Sequence, residues 1–210
     1  MDNITNEKVT AYLQGLMPED PHLVPLREYA DTHHVPIAKR ETAQFLSVLA
    51  QIHKPQSILE FGTAIGYSAL LLQRVTGAKI TTVEKDEQTA DMARENIAKL
   101  GHGGIQVITD DALDYAADCM DAFDMIFLDS AKGQYPDLLP HCVRMLRDGG
   151  LLVSDNVLLR GMVADQELLP HDKKTMVYQM RNYLDMLMQC KELETAVVPI
   201  GDGMALSYKR

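Results

Sequence analysis

Short apolar runs alternate with helical patterns from about residue 56 to the end of the chain. This alternation predicts a parallel, doubly wound sheet covered by helices. The turn Gly201-Asp202-Gly203 separates the last two strands, so we expect them to pair as a hairpin. The predicted strands are Ser57–Phe61, Ile80–Glu84, Ile105–Thr109, Asp124–Asp129, Leu151–Ser154, Thr195–Pro199 and Met204–Tyr208; the predicted helices are Tyr67–Val75, Glu87–Leu100, Asp111–Ala117, Tyr135–Leu146 and Lys173–Cys190.

The first 53 residues show a different pattern, with apolar residues at helical spacing. Three helices are predicted there, over Asn6–Met17, Leu23–Ala30 and Arg40–Ile52, and an extended loop surrounds Pro36. We expect them to be a helical extension of one domain that spans residues 1–210. The whole pattern predicts a Rossmann-like α/β fold, with a mostly parallel seven-stranded sheet and an antiparallel hairpin at its end.

Composition and charge exclude several classes of protein. No apolar run approaches the roughly 18 residues that a membrane helix needs, and residues 1–4 start no basic and apolar leader, so we expect a cytoplasmic protein. The net charge of −10 argues against broad binding to nucleic acid but leaves room for a local basic patch. Cys119, Cys142 and Cys190 form no C-x-x-C pair, which predicts free thiols and argues against a zinc site.

Two of the predicted strands lead to acidic residues. The apolar run 125–128 is followed by Asp129, and the run 151–153 leads to Asp155 and Asn156. These strands are neighbours in a doubly wound sheet, roughly 4.8 Å apart, so their carboxyl ends can share one ion. The three side chains are hard oxygen donors without His or Cys, which predicts a site for Mg²⁺.

A loop with two glycines follows the first strand and opens a helix. Gly62 and Gly66 do not form the G-x-G-x-x-G loop that holds a dinucleotide pyrophosphate, so we expect a ligand without phosphate, such as S-adenosylmethionine. Glu84, at the end of the second strand, can accept hydrogen bonds from ribose hydroxyls, and Asp111 and Ala112 lie at the turn expected to meet the adenine. The alternative is that the glycines only serve a turn and that Glu84 only ends a strand.

Lys132 lies three residues after Asp129, in the predicted loop above the strand. A hydroxyl next to Mg²⁺ loses its proton more easily, and Lys132 is the candidate proton acceptor. The oxyanion would then attack the sulfonium methyl in line. Lys132 and Asp129 are therefore the candidate catalytic residues. The alternatives are a solvated loop lysine and, for Asp155-Asn156, a turn that ends a strand.

These motifs resemble the cation-dependent O-methyltransferase family, which includes catechol and caffeoyl-coenzyme A O-methyltransferases. The resemblance extends from about Leu23 and rests on residues 59–68, 127–135 and 149–156. It implies the class I methyltransferase fold, a homodimer and S-adenosylmethionine as cofactor. By similarity, the metal ligands are Asp129, Asp155 and Asn156, the catalytic lysine is Lys132, and the residues that line the cofactor are Ile37, Gly62, Ser68, Glu84, Asp111, Ala112 and Asp129.

Within that family the chain looks like the bacterial tRNA 5-hydroxyuridine methyltransferases, which methylate the wobble uridine of the anticodon loop. In 5-hydroxyuridine the hydroxyl lies beside the C4 carbonyl, so that two oxygens can chelate one Mg²⁺. Asp110 departs from the family, which usually has glycine before the Asp-Ala pair. The matching segments are residues 33–37, 62–68, 131–135, 155–158 with Gly161, and 199–203.

Three functions are open at this point. The first is a Mg²⁺- and S-adenosylmethionine-dependent tRNA wobble-uridine O-methyltransferase, which needs phosphate contacts. The second keeps this chemistry and takes a small catechol-type phenol under an apolar lid. The third, a noncatalytic adenosine-binding protein, is disfavoured by the intact set of ligands. The candidate phosphate contacts are Lys39, Arg40, Arg160, Lys173 and Lys174, and the candidate lid residues are Leu158, Met162 and Val163.

Overall fold

A computed structural model describes residues 4–101, 103–165 and 173–210. In this part of the chain seven strands form one sheet, and eight α-helices surround it. The strands are β1 Ser57–Phe61, β2 Lys79–Glu84, β3 Ile105–Thr109, β4 Phe123–Leu128, β5 Leu146–Asp155, β6 Leu193–Val198 and β7 Met204–Lys209. The helices are α1 Glu7–Leu16, α2 Val24–His33, α3 Arg40–His53, α4 Tyr67–Thr76, α5 Glu87–Leu100, α6 Ala112–Asp118, α7 Tyr135–Met145 and α8 Lys174–Gln189.

The sheet has the strand order β3-β2-β1-β4-β5-β7-β6. Strands β1 to β5 all run parallel to one another, and β7 is antiparallel to both β5 and β6. The predicted α/β fold, with a mostly parallel sheet and a C-terminal hairpin, is therefore confirmed. None of the described helices is both long enough and apolar enough to cross a membrane.

The central strands are buried on both faces, as their continuous apolar runs predict. Residues 125–128 of β4 have no exposed surface, and the flanking β1 is equally buried from Ile58 to Phe61. Helices α3 and α4 pack over one side of the sheet, and α7 and α8 pack over the other. This burial holds the carboxyl ends of β1, β4 and β5 at one rigid edge, which is where ligands bind in open α/β sheets.

Most predicted boundaries differ from the observed ones by one to three residues, and two of the differences have identifiable reasons. Strand β5 begins at Leu146 rather than Leu151, because it continues through the polar stretch Arg147–Gly150, beside an irregular register in its pairing with β4. Helix α6 begins at Ala112, because Asp111 is its N-cap and accepts a hydrogen bond from the Leu113 N–H at 2.9 Å. Short polar segments hide a strand, and a capping Asp is easily taken for the first helical residue.

Candidate active site

A cavity of about 740 Å³ opens at the carboxyl ends of the parallel strands. It brings together residues from distant parts of the sequence, including the loop before α3 and the ends of β1, β2, β4 and β5. Among the predicted catalytic, cofactor and metal residues, only Ser68 lies outside its lining. The predicted residues that line it are Ile37, Gly62, Glu84, Asp111, Ala112, Asp129, Lys132, Asp155 and Asn156.

The loop after β1 passes very close to the end of β4. The Gly62 N–H donates to the Val83 carbonyl at 2.9 Å, and φ of Gly62 is 100°. A Cβ atom at this position would overlap the carbonyl oxygen of Asp129. Gly62 is therefore required both for its left-handed backbone and for its lack of a side chain.

Glu84 is fastened to the same loop from the neighbouring strand. Its Oε2 accepts a hydrogen bond from the Ala64 N–H at 3.0 Å, and its Oε1 accepts one from the Asp86 N–H at 3.1 Å. These two bonds fix the carboxylate at the cavity wall. Glu84 therefore does more than end a solvated strand, because it links β2 to the loop after β1.

Asp111 already has several partners within the protein. Besides capping α6, its carboxylate pairs with Lys85 at 2.9 Å and lies within 3.4 Å of the Gln134 amide nitrogen. The ammonium of Lys85, first among these partners, holds the pKa of Asp111 below its usual range. The carboxylate of Asp110 accepts a hydrogen bond from the Asp111 N–H at 2.8 Å. Hydrogen bonds therefore tie this turn to Lys85, to Gln134 and to the start of α6.

Ser68 lies in the first turn of α4, beside the buried carboxyl of Glu60. Burial raises the pKa of Glu60 to about 7, although hydrogen bonds from Ser68 and Thr82 act in the opposite direction. Thr82 donates to Glu60 at 2.5 Å, and its hydroxyl is 2.6 Å from that of Thr63 in the loop after β1. A buried polar chain therefore connects this loop with β1 and β2.

Two carboxylates face the cavity at the ends of paired strands. Leu128 pairs with Ser154 across β4 and β5, so Asp129 and Asp155 are the next residues on each. Asp155 is 2% exposed, and burial, followed by the nearby charge of Asp129, raises its pKa to about 7. Asn156 follows in a left-handed conformation, with φ of 58°.

The donor chemistry of this edge fits a hard divalent cation. Two carboxylates that repel each other in a buried place are stabilised by a bound cation, and the Asn156 amide adds a third oxygen donor. In the described part of the chain, no group of three or more His, Cys, Asp and Glu residues could hold a metal ion. The predicted metal ligands include only two residues of these four types, Asp129 and Asp155, because the third ligand is the Asn156 amide.

Lys132 stands beside the acidic pair, at the start of a 3₁₀ turn that covers Lys132–Gln134 rather than in an open loop. Its Nζ is 2.5 Å from Asp129 Oδ1 and 3.1 Å from the hydroxyl oxygen of Tyr135. The side chain is only 16% exposed. Lys132 is therefore a mostly buried, fully oriented amine and not a solvated loop lysine.

The predicted phosphate contacts occupy three different environments. Arg160 and Lys173 are exposed, line the cavity mouth, and have no ion-pair partner among the described residues. Lys39 also lines the cavity but pairs with Asp202 at 2.9 Å. Arg40 pairs with Glu19 at 3.0 Å and does not line this cavity, and Lys174 also lies outside the lining.

The predicted apolar lid is only partly correct. Met162 lines the cavity, whereas Leu158 and Val163 pack against the hydrophobic core beneath α7 and α8. Leu159 and Met176 supply apolar surface that the sequence reasoning missed. Thr42, Gln134 and Asp202 are polar lining residues that were also missed as site residues; Asp202 was recognised only as part of a turn.

Comparison with known proteins places this geometry among methyl-transferring enzymes. A model of the O-methyltransferase family matches residues 16–210. A catechol O-methyltransferase of Niastella koreensis is 31% identical over 176 residues, covering 79% of this chain and 80% of that protein.

Solved structures give the same result. The O-methyltransferase from Bacillus cereus, in complex with SAH, is 26% identical with a TM-score of 0.83, and the match covers 97% of each chain. The O-methyltransferase TomG from Streptomyces achromogenes, in complex with SAM and involved in tomaymycin synthesis, is 25% identical with a TM-score of 0.83. That match covers 100% of this chain and 99% of TomG.

Proposed function

Because the chain belongs to the O-methyltransferase family, we propose that this S-adenosylmethionine-dependent enzyme uses Mg²⁺ to methylate the 5-hydroxyl of the wobble uridine in tRNA. The observation that carries the proposal is the meeting of Asp129, Asp155 and Asn156 with Lys132 at one edge of the cavity. These residues supply three hard oxygen donors and one amine within the same wall.

In this proposal the cofactor lies along the loop after β1. Gly62 lets it approach the backbone, and Glu84 accepts hydrogen bonds from the ribose hydroxyls. Ile37 and Ala112 would contact the adenosine, and Ser68 would act from the first turn of α4. S-adenosylmethionine supplies an electrophilic methyl group. The protein contributes mainly the alignment of the acceptor oxygen with that methyl group.

The proposed metal ligands are Asp129, Asp155 and Asn156. A divalent cation held by them would lower the pKa of an acceptor hydroxyl. Lys132 would take the proton on Nζ, and the carboxylate of Asp129, 2.5 Å away, would stabilise the ammonium that results. Met162 and Leu159 exclude water from the acceptor side of the cavity.

The choice of tRNA as acceptor is supported by the charges at the cavity mouth. Arg160 and Lys173 carry positive charge without a carboxylate partner in the described part of the chain, although the net charge is −10. Arg160 also has a left-handed backbone, with φ of 55°, which is costly for a residue other than glycine. Exposed cations without a carboxylate partner, at the rim of a cavity, suit the phosphate groups that flank a flipped-out base.

A small catechol-type phenol is the second candidate acceptor. It is favoured by the 31% identity to a catechol O-methyltransferase and by the apolar cavity residues Met162, Leu159 and Met176. The same donors and the same lysine would serve either acceptor. The two functions therefore differ only at the cavity mouth and not in the chemistry.

The test measures methyl transfer from labelled S-adenosylmethionine to tRNA that carries unmethylated 5-hydroxyuridine and, in parallel, to a panel of catechols. We expect transfer to the tRNA, with the methyl group located on the 5-oxygen by nucleoside mass spectrometry. Transfer to catechols and none to the tRNA would refute the tRNA proposal and leave the O-methyltransferase assignment intact.

A set of charge variants sharpens this test. Arg160→Ala and Lys173→Ala should each raise KM for tRNA roughly 10-fold and reduce its salt dependence, without changing KM for a catechol. Lys174→Ala is the matched control, since Lys174 is the exposed neighbour of Lys173 but does not line the cavity. Equal KM values for tRNA in all three variants would contradict the role of the mouth in binding RNA.

We also propose that the enzyme is a cytoplasmic homodimer that pairs through its N-terminal helices. Val9, Tyr12 and Leu16 on α1 are each more than half exposed, and Ile52 on α3 is 73% exposed. Helix α1 packs against α3, so these side chains belong to neighbouring helices, and apolar surface of this kind is usually covered by a partner. Sedimentation of the wild-type protein and of Tyr12→Lys tests this, with dimer expected for the first and monomer for the second.

A further inference from the structure

The geometry points to Tyr135 as a positioning residue that holds Lys132 against the end of β4. The inference rests on the proposed role of Lys132 and adds a residue to that site. Tyr135 is fully buried and is the first residue of α7. It does not line the cavity, so it can act on the reaction only through a neighbour.

One hydroxyl group connects three parts of the site. The Tyr135 O–H donates to the Leu128 carbonyl at 2.8 Å, and the Asp155 carbonyl oxygen is 3.2 Å away. The Tyr135 hydroxyl oxygen also accepts a hydrogen bond from Lys132 Nζ at 3.1 Å. It therefore joins the ends of β4 and β5, which carry the proposed metal ligands, to the proposed base.

The position of the Lys132 amine is fixed by two contacts of different kinds. Asp129 attracts it by charge, and the Tyr135 oxygen gives it a second, directional acceptor. A flexible lysine side chain held by one carboxylate alone retains several rotamers. With both acceptors, Nζ is limited to a small region beside Asp129 at the cavity wall.

The phenol is suited to this task by its geometry. Its hydroxyl oxygen lies within hydrogen-bond range of two strand-end carbonyls and of the Lys132 amine. A neutral hydroxyl can donate to a carbonyl and accept from an amine at the same time. The ring is also fixed, since Tyr183 packs edge-on against it with 5.2 Å between the ring centroids.

Tyr183 provides a matched control. It is also fully buried, belongs to the same aromatic pair, and its hydroxyl lies 2.5 Å from Ser154 Oγ rather than near Lys132. Tyr135→Phe and Tyr183→Phe therefore each remove one buried hydroxyl from one ring. Loss of a hydrogen bond is common to both variants, and loss of the contact with Lys132 is specific to the first.

The kinetic test compares both variants with the wild-type enzyme, using the acceptor that it methylates fastest. We expect Tyr135→Phe to lower kcat roughly 10-fold to 100-fold, with KM for the acceptor and the Kd of S-adenosylmethionine unchanged. Tyr183→Phe should keep the wild-type kcat. A wild-type kcat in Tyr135→Phe, or the same loss in both variants, would overturn the inference.

Crystal structures supply a readout that needs no acceptor and does not depend on the proposed function. Lys132 Nζ should stay beside Asp129 and Tyr135 in the wild-type protein and in Tyr183→Phe, and should occupy other rotamers in Tyr135→Phe. An unchanged Lys132 in Tyr135→Phe would refute the positioning role even if the enzyme methylates no tested acceptor. If that variant does not fold, the wild-type crystal structure decides, because a Lys132 amine beyond hydrogen-bond range of the Tyr135 oxygen contradicts the inference.

Discussion

The backbone of Gly62 lies against the carbonyl group of Asp129 so closely that a Cβ atom at residue 62 would overlap the carbonyl oxygen. The first loop of the cofactor site and the first proposed metal ligand are therefore one packed unit. The same Asp129 accepts a hydrogen bond from Lys132. We therefore expect binding of the cofactor at the loop after β1 to be coupled to the position of Lys132, the proposed base.

Gly62→Ala should damage both the fold and cofactor binding. The added methyl group must push the loop away from Asp129, and φ of 100° is unfavourable for alanine. We expect the free energy of unfolding to fall by about 3 kcal/mol, within the range for overpacking combined with backbone strain. Urea denaturation measures this, and titration calorimetry should show at least roughly 10-fold weaker S-adenosylmethionine binding.

Gly77→Ala is the control for the backbone term alone. Gly77 ends α4 with φ of 71°, and nothing lies within 4 Å of the position of its Cβ atom. It should lose about 1 kcal/mol of stability and keep its cofactor affinity. If the two variants were equally stable and bound the cofactor equally well, the close contact between Gly62 and Asp129 would have no energetic consequence.

Asp155→Ala should abolish turnover and leave cofactor affinity largely unchanged. Asp155 is proposed as a metal ligand and is not among the residues proposed to line the cofactor. A decrease of kcat by roughly 100-fold or more is expected when a group that stabilises developing charge is removed. Asp148→Ala, at an exposed position of the same strand, should behave as wild type. A substantial rate in Asp155→Ala would remove Asp155 from the metal site.

Glu60 should make the apo protein less stable as the pH rises. Its pKa is about 7 in the folded state, raised by burial from an ordinary value of 4.5. Between these two pH values the folded state binds more protons than the unfolded chain, so the free energy of unfolding falls as pH rises through this range and stays low above it. The full effect is about 3 kcal/mol, at about 1.4 kcal/mol for each unit of pKa.

The measurement compares wild type with Glu60→Gln in urea denaturation from about pH 4 to pH 8. Asp155 has a raised pKa of about 7 and acts in the same direction, so only the difference between the two proteins reports on Glu60. Glu60→Gln should gain stability relative to wild type above about pH 7, with the difference shrinking toward pH 4. Parallel profiles would show that Glu60 titrates normally in the folded state.

The sequence was most informative where a single strand carried the signal. The apolar runs before Asp129 and Asp155 identified the two strands, and the sheet order then brings these residues to one edge. Prediction failed where a residue's position depends on packing across helices. Lys39 and Arg40 are adjacent in sequence, yet Arg40 pairs with Glu19 and Lys39 pairs with Asp202, which lies far away in sequence.

Tyr135 illustrates the same limit within the site. The sequence identifies it as part of a motif with Lys132, but its hydrogen bonds to two strand ends depend on how α7 packs beneath the sheet edge. Leu158 was a candidate lid residue over the metal. Its side chain instead packs against Gly203 and fills the space that a Cβ atom there would need. Such contacts follow from tertiary packing, and no local pattern of residues encodes them.

The most direct test of the central claim is the initial rate of methyl transfer in EDTA, followed by the rate after excess Mg²⁺ is restored. The rate should fall to background in EDTA and recover with Mg²⁺, while titration calorimetry shows S-adenosylmethionine binding in both conditions. That result would support cation-dependent chemistry at Asp129, Asp155 and Asn156. A full rate of methyl transfer in EDTA would contradict it.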